Sequence, residues 1–286
     1  MKIVMIHGRN QQGKDPVALE KEWRDALTYG LTRAGLALPA DAVFRFPFYG
    51  DELMRLVEQV ETPGVLDAHA RGTETDADPT LRGEILEEIA LGLGLTREDI
   101  EREFHPSAPR PRGPQNWEWV QAILRAIDRV PGVNSGVVDL VTRDVYVYLT
   151  FPGVRRRIDD MVAAAFDESP TVVIAHSLGT VVAYNVLLAR NRNHPVPRFL
   201  TLGSPLGVKA LQRHLDSPLV SPPAVGSWRN AFDDRDVVAL RPLDASTGFR
   251  FDPPILNKKD VKNHTENRHG IAGYLADPVV AGWVVG

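Results

Sequence analysis

Thr171-Val-Val-Ile-Ala-His-Ser-Leu-Gly-Thr180 holds two kinds of local information in ten positions. Thr171 to Ala175 are β-branched or small and apolar, the composition of a strand buried on both faces of a parallel sheet. Ala175-His176-Ser177-Leu178-Gly179 follows without a spacer. The stretch from Thr180 to Arg190 then has helical character, with Val182, Val186 and Leu187 on one side. A serine between a buried strand and a helix sits on a sharp turn that lifts its hydroxyl out of the sheet. It also lies beside the free N–H groups of a helix start. Small residues are needed two before and two after the serine, because strand and helix approach closely there.

Outward from this turn, strand-like and helix-like segments alternate, which favours a mostly parallel sheet with helices on both faces. Lys2 to Ile6 reads as the first strand. Asp15-Pro16 reads as an N-cap followed by proline at the first helical position, opening a helix to about Arg33 with Leu19, Trp23, Leu27 and Leu31 on one face. Ala42 to Phe48 reads as a second strand. The pattern then loosens into an acidic, Thr-rich segment (Glu74 to Asp78), a helical piece (Leu81 to Phe104) and a Pro-rich connector (His105 to Pro114). An amphipathic helix follows from Trp117 to Val130. Beyond the turn, Arg198 to Ser204 and Ser227 to Phe232 read as the next core strands. The organisation expected is an α/β core formed by residues 1–50 and 150–286, with 51–149 as a largely helical cap insertion.

Composition bounds the function classes. The 286 residues are 43% apolar and 24% charged, ordinary for a globular chain that buries a sizeable core. The net charge of −4 argues against nucleic acid or an anionic membrane as the main partner. No cysteine occurs, which excludes disulfides, thiolate metal sites and a cysteine nucleophile. No apolar run approaches the ~20 residues of a membrane-spanning helix. The start of the chain reads as a strand rather than a signal segment, so a cytoplasmic location is expected.

A serine at its free pKa is a weak nucleophile. It needs a base, an acid to orient that base, and donors for the oxyanion. Placed as it is, Ser177 has the setting of a nucleophile elbow, and candidates for the other parts follow in the order acid, then histidine. Trp228 to Phe232 runs into Asp233-Asp-Arg-Asp236; Asp236 is the candidate orienter and Asp233 the alternative. Asn263-His-Thr-Glu-Asn-Arg-His269 supplies the base, His269 by preference and His264 as the alternative. His69, His105, His194 and His214 read as structural or solvated, and His176 as a neighbour supporting the nucleophile. The oxyanion donors expected are the backbone N–H of Leu178 and that of Arg9, in the loop His7-Gly8-Arg9-Asn10 after the first strand, where Gly8 permits close approach. Gly179 serves the same purpose on the other side. No metal-ligand spacing of the His-Glu-x-x-His kind occurs, and no cofactor is expected.

Four blocks together resemble the α/β-hydrolase superfamily, specifically its lipase- and esterase-type members: Ile6-His7-Gly8; Ala175-His176-Ser177-Leu178-Gly179; Leu202-Gly203-Ser204-Pro205; and Trp228 to Ala239 with His269. The resemblance leaves about 50–150 unmatched. It implies Ser177 as nucleophile, Asp236 as acid through the segment Asp236-Val-Val-Ala239, His269 as base, and an insertion that caps the pocket. It implies a serine hydrolase acting on a small-molecule ester, plausibly with an apolar acyl group. Ala175 departs from the commoner glycine, and a Gly-Gly-Gly oxyanion loop is lacking. The same triad would serve a thioesterase, amidase or peptidase, and a hydrolase-fold protein that only binds a ligand is the non-enzymatic alternative. A rival from another class is Gly8-Arg-Asn-Gln-Gln-Gly13-Lys14-Asp15, which has the spacing of a phosphate-binding P-loop. Its Mg²⁺-binding hydroxyl position is occupied by Asp15, which suits a helix N-cap better.

Overall fold

The computed structural model describes residues 1–60, 80–105, 113, 117–190, 194–215, 218–239, 241–265 and 268–286. The acidic Thr-rich segment, His69 and most of the Pro-rich connector lie outside them. In chain order the elements are β1 (Lys2–Ile6), α1 (Pro16–Arg33), β2 (Val43–Arg45), α2 (Gly50–Val60), α3 (Leu81–Gly92), α4 (Arg97–Glu103), α5 (Trp117–Asp128), α6 (Ser135–Thr150) and α7 (Pro152–Ala163). They continue with β3 (Thr171–His176), α8 (Leu178–Leu188), β4 (Phe199–Leu202), α9 (Lys209–Gln212), β5 (Trp228–Ala231), β6 (Leu256–Lys258), α10 (Ile271–Leu275) and α11 (Pro278–Val285).

The six strands form one sheet in the order β2-β1-β3-β4-β5-β6, and every pairing is parallel. Strand alternation divides the core in two. Ile3, Met5, Val172, Ile174, Leu200 and Leu202 face α1, α10 and α11. Val4, Ile6, Val173, Ala175 and Phe199 face α8 and the helices between β2 and β3. The chain steps from β1 to β2 in one direction and from β3 to β5 in the other. With right-handed crossovers, that reversal sends the connecting helices to opposite faces. It also leaves a crevice between the carboxyl ends of β1 and β3, the switch point where open α/β sheets bind ligands. His7, Gly8 and Ser177 stand there, one or two residues past the strand ends.

Helices α2 to α6 are not a separate body. Leu81, Ile85, Ile123, Val138 and Val145 share one continuous apolar core with Leu206, Leu211, Val237 and Val238 around the carboxyl end of the sheet. Among the described residues, no helix is long and apolar enough to cross a membrane.

Several elements differ from expectation. The second strand is only Val43–Arg45, because it is an edge strand that pairs on one side and Pro47 has no N–H to continue it. Leu81 to Phe104 is two helices, broken where Gly94 turns left-handed (φ +85°). The second restarts at a Thr96–Asp99 capping box. The helix after the elbow begins at Leu178, and every residue from Leu178 to Leu187 is buried, so it has no solvent side. Helices α6 and α7 and strand β6 fill stretches for which the sequence assigned no element. The Val279-to-Val285 run is helix α11, packed on α1.

Candidate active site

The elbow is held by close contacts that only small residues allow. Ser177 has φ 54° and ψ −131°, a left-handed φ that L-residues adopt only when their surroundings impose it. Its carbonyl accepts from Thr180 N (2.9 Å) and Thr180 Oγ1 (2.7 Å), which fixes the first turn of α8. A Cβ on Gly179 would lie 2.4 Å from the His7 carbonyl oxygen, and one on Gly8 would lie 2.7 Å from Ser177 Cβ. Ala175, between Ile6 and Thr201 in the sheet, accommodates its methyl in the core. Gly179→Ala is therefore expected to destabilise by about 2–4 kcal/mol, since backbone must move to admit the methyl. The measurement is thermal unfolding; a midpoint within about 2 °C of wild type would show that the approach is not tight.

Ser177, His269 and Asp236 come together. His269 Nε2 lies 2.8 Å from Ser177 Oγ, and His269 Nδ1 lies 2.7 Å from Asp236 Oδ2. Asp236 is fully buried; its Oδ1 accepts from Val238 N (2.9 Å) and its Oδ2 also accepts from Tyr274 Oη (2.5 Å). A carboxylate that accepts from Nδ1–H leaves Nε2 as the acceptor for the serine hydroxyl. Gly203 (φ +58°) passes under this pair, and a Cβ there would meet Asp236 Oδ2 and His269 Cε1 at 3.2 Å each.

The alternatives stand elsewhere. Asp233 is equally buried, but its Oδ2 accepts from Asn263 N and its Oδ1 from Arg235 N, both at 2.9 Å. It anchors the loop that carries His269 without touching the imidazole. His264 is exposed, at the rim of a surface groove with Lys21, Asp25 and Tyr29.

Three further groups fix the moving parts. His176 Nε2 donates to the His269 carbonyl (2.6 Å), so His269 is held through its own backbone. His7 Nδ1 donates to the Gly8 carbonyl (2.7 Å), and its Nε2 accepts from Tyr49 N (3.1 Å). With the Gly8 carbonyl turned toward His7, the Arg9 N–H across the same trans peptide points the opposite way. Leu178 N–H, at the first position of α8, has no intrahelical acceptor. Neither Tyr274 nor Tyr49 is marked for these roles by any local sequence pattern. Tyr49 donates to the His7 carbonyl, while Phe46 and Phe48 pack against the His7 ring.

Both supporting imidazoles are kept neutral by burial, which lowers His7 to about 4 and His176 to about 3. The unfolded chain takes up protons on these groups below about pH 6.5 while the folded one does not. Their contribution to stability is thus present above 6.5 and lost as pH falls toward the folded values. Asp159, raised by burial to about 6, works in the opposite sense from about 6 down to its ordinary carboxylate range. The net expectation is a loss of about 2–3 kcal/mol between pH 7 and 5, measured as urea unfolding free energy. A flat profile would mean that one or both imidazoles are charged in the fold.

The loop from Gly8 to Asp15 is occupied by its own carboxylates. Asp15 Oδ1 accepts from Val17 N (3.0 Å) as the cap of α1, and Asp51 Oδ1 accepts from Gly13 N (2.6 Å). Lys14 reaches back to Gln11 Oε1. Two carboxylates therefore stand at the amides that a phosphate would need, which disfavours an anion there. No family model matches the chain, and neither a curated protein nor a solved structure matches it.

Proposed function

We propose that the chain is a serine hydrolase of the α/β-hydrolase type that cleaves carboxylic esters through an acyl-enzyme. The observation that carries this reading is the unbroken relay from Ser177 Oγ through His269 to Asp236, at 2.8 and 2.7 Å. Its position at the switch point of the sheet supports it, as does the strained φ at Ser177.

In this mechanism His269 Nε2 takes the Ser177 proton as Oγ attacks the ester carbonyl. Asp236 holds the imidazole in the Nδ1–H tautomer and stabilises the imidazolium. The N–H groups of Leu178 and Arg9 receive the oxyanion. On collapse, the imidazolium returns its proton to the departing alkoxide, leaving the acyl-enzyme and a free alcohol. Water, deprotonated by the same nitrogen, releases the acid and restores the Ser177 hydroxyl. The relay would act equally on thioesters or amides.

The test is labelling of the intact protein with a fluorophosphonate, followed by peptide mapping. A single adduct on Ser177 is expected, because such reagents need an activated serine. A folded protein that takes up no label overturns the hydrolase reading and leaves a protein that binds without turnover.

A further inference from the structure

We propose that Asp144, on insertion helix α6, is a positioning residue for the oxyanion loop and acts through Arg9; the inference rests on the serine-hydrolase reading. Asp144 is a buried acid on α6, on a stretch that also buries Val141, Val145, Val147 and Leu149. Its Oδ2 accepts from Arg9 Nε at 2.9 Å and its Oδ1 from Arg143 Nε at 3.1 Å. The Arg9 and Asp144 side chains are only 10% and 6% exposed. A buried ion pair of this kind contributes little net stability against an apolar replacement, because both charges are desolvated. Its consequence here is geometric.

Gly8 and Arg9, whose shared peptide N–H is the proposed oxyanion donor, are tethered at three places. The Gly8 carbonyl is held by His7 Nδ1 (2.7 Å), and the Arg9 carbonyl by Gln11 Nε2 (2.7 Å). The Arg9 side chain is held by Asp144. Asn10 follows in a left-handed conformation (φ 61°), a bend the local sequence does not enforce by itself. Two tethers come from the loop and its own strand end. The third comes from 135 residues away, out of the insertion. An inserted helix therefore holds the loop beside Ser177. An oxyanion donor works only when pre-aimed, and displacement by ~1 Å can cost about 10²-fold.

The experiment is a double-mutant cycle on the full chain with Asp144→Asn, Arg9→Met and both together. Arg9→Met keeps the main-chain N–H and approaches the link from its other end, so it serves if Asp144→Asn does not fold. The readouts are kcat and KM on a p-nitrophenyl ester, and the rate of fluorophosphonate labelling. Each single variant is expected to lose about 10- to 100-fold in kcat and in labelling rate, with KM within about threefold. The double variant should match the singles rather than multiply them. Folded variants with unchanged kcat, or losses that multiply, overturn the inference. Absence of labelling in the wild type would instead overturn the hydrolase reading beneath it.

Discussion

Replacing Ser177 by alanine is expected to lower ester turnover by about 10⁴- to 10⁶-fold, to the level left by binding and oxyanion contacts alone. The hydroxyl is the atom that forms the covalent bond, and no neighbouring side chain can replace it. Thr180 Oγ1 is committed to the Ser177 carbonyl and pairs with Ser204 Oγ at 2.7 Å. The fold should survive, because the side chain is small and its hydroxyl pairs with His269. A second variant separates strain from chemistry. Ser177→Gly removes the same nucleophile, yet glycine adopts φ near 54° without penalty. It should therefore be more stable than Ser177→Ala by about 1 kcal/mol, or roughly 2–4 °C in a chain of this size. Both variants should be inert to fluorophosphonate. Turnover persisting in freshly purified Ser177→Ala would remove Ser177 as nucleophile. Equal stability of the two would mean that the turn is unstrained.

How much of this was legible in the sequence follows from how local each constraint is. The strand from Thr171, the sharp turn and the small residues around Ser177 are dictated within ten positions, and the Asp15 cap needs only three. Ser177 and Asp236 could be nominated because each follows a strand with a clear pattern, and His269 because it precedes a helix-like segment. Asp233 and Asp236 are indistinguishable locally, since both are buried just past β5 and only packing shows which one reaches the imidazole. Helix α6 escaped because its run of valines and tyrosines is apolar on all sides. That destroys the period separating helix from strand, and burial against α7 and α8 decides the matter. Tyr274 and Asp144 were invisible for a different reason. A tyrosine in an apolar helix and an acid on another carry no local sign of a partner 38 or 135 residues away. The core strands and the sharp turn at Ser177 are thus readable from short segments, whereas the strand order and the tyrosine and acid contacts around the turn are products of the tertiary fold.

Asp236→Asn should lower kcat by about 10³- to 10⁴-fold while leaving the fold intact. Asp236 Oδ2 faces two donors, His269 Nδ1–H and Tyr274 Oη–H, and Oδ1 faces a third, Val238 N–H. An amide has one oxygen to offer. If its nitrogen takes the Oδ2 place, it confronts the imidazole with a donor and favours the tautomer whose proton sits on Nε2, aimed at Ser177, where it cannot accept. If the nitrogen instead takes the Oδ1 place, it abuts the Val238 amide, and the negative charge that would stabilise imidazolium is still gone. Asp233→Asn loses something else. Its carboxylate ties Asn263 and Arg235 backbone N–H groups and lies 3.9 Å from Arg268 Nη1; an amide nitrogen against either N–H costs about 1–3 kcal/mol of stability. The His269–Asp236 bond remains, so kcat should fall by no more than about 10-fold, in proportion to how far the His269 loop loosens. The two variants should therefore separate on kcat: both lose stability to an amide nitrogen facing a buried donor, but Asp236→Asn is nearly inactive and Asp233→Asn largely active. Equal, small kcat losses in both would leave the imidazole without an orienting acid and break the relay on which the acyl-enzyme mechanism depends.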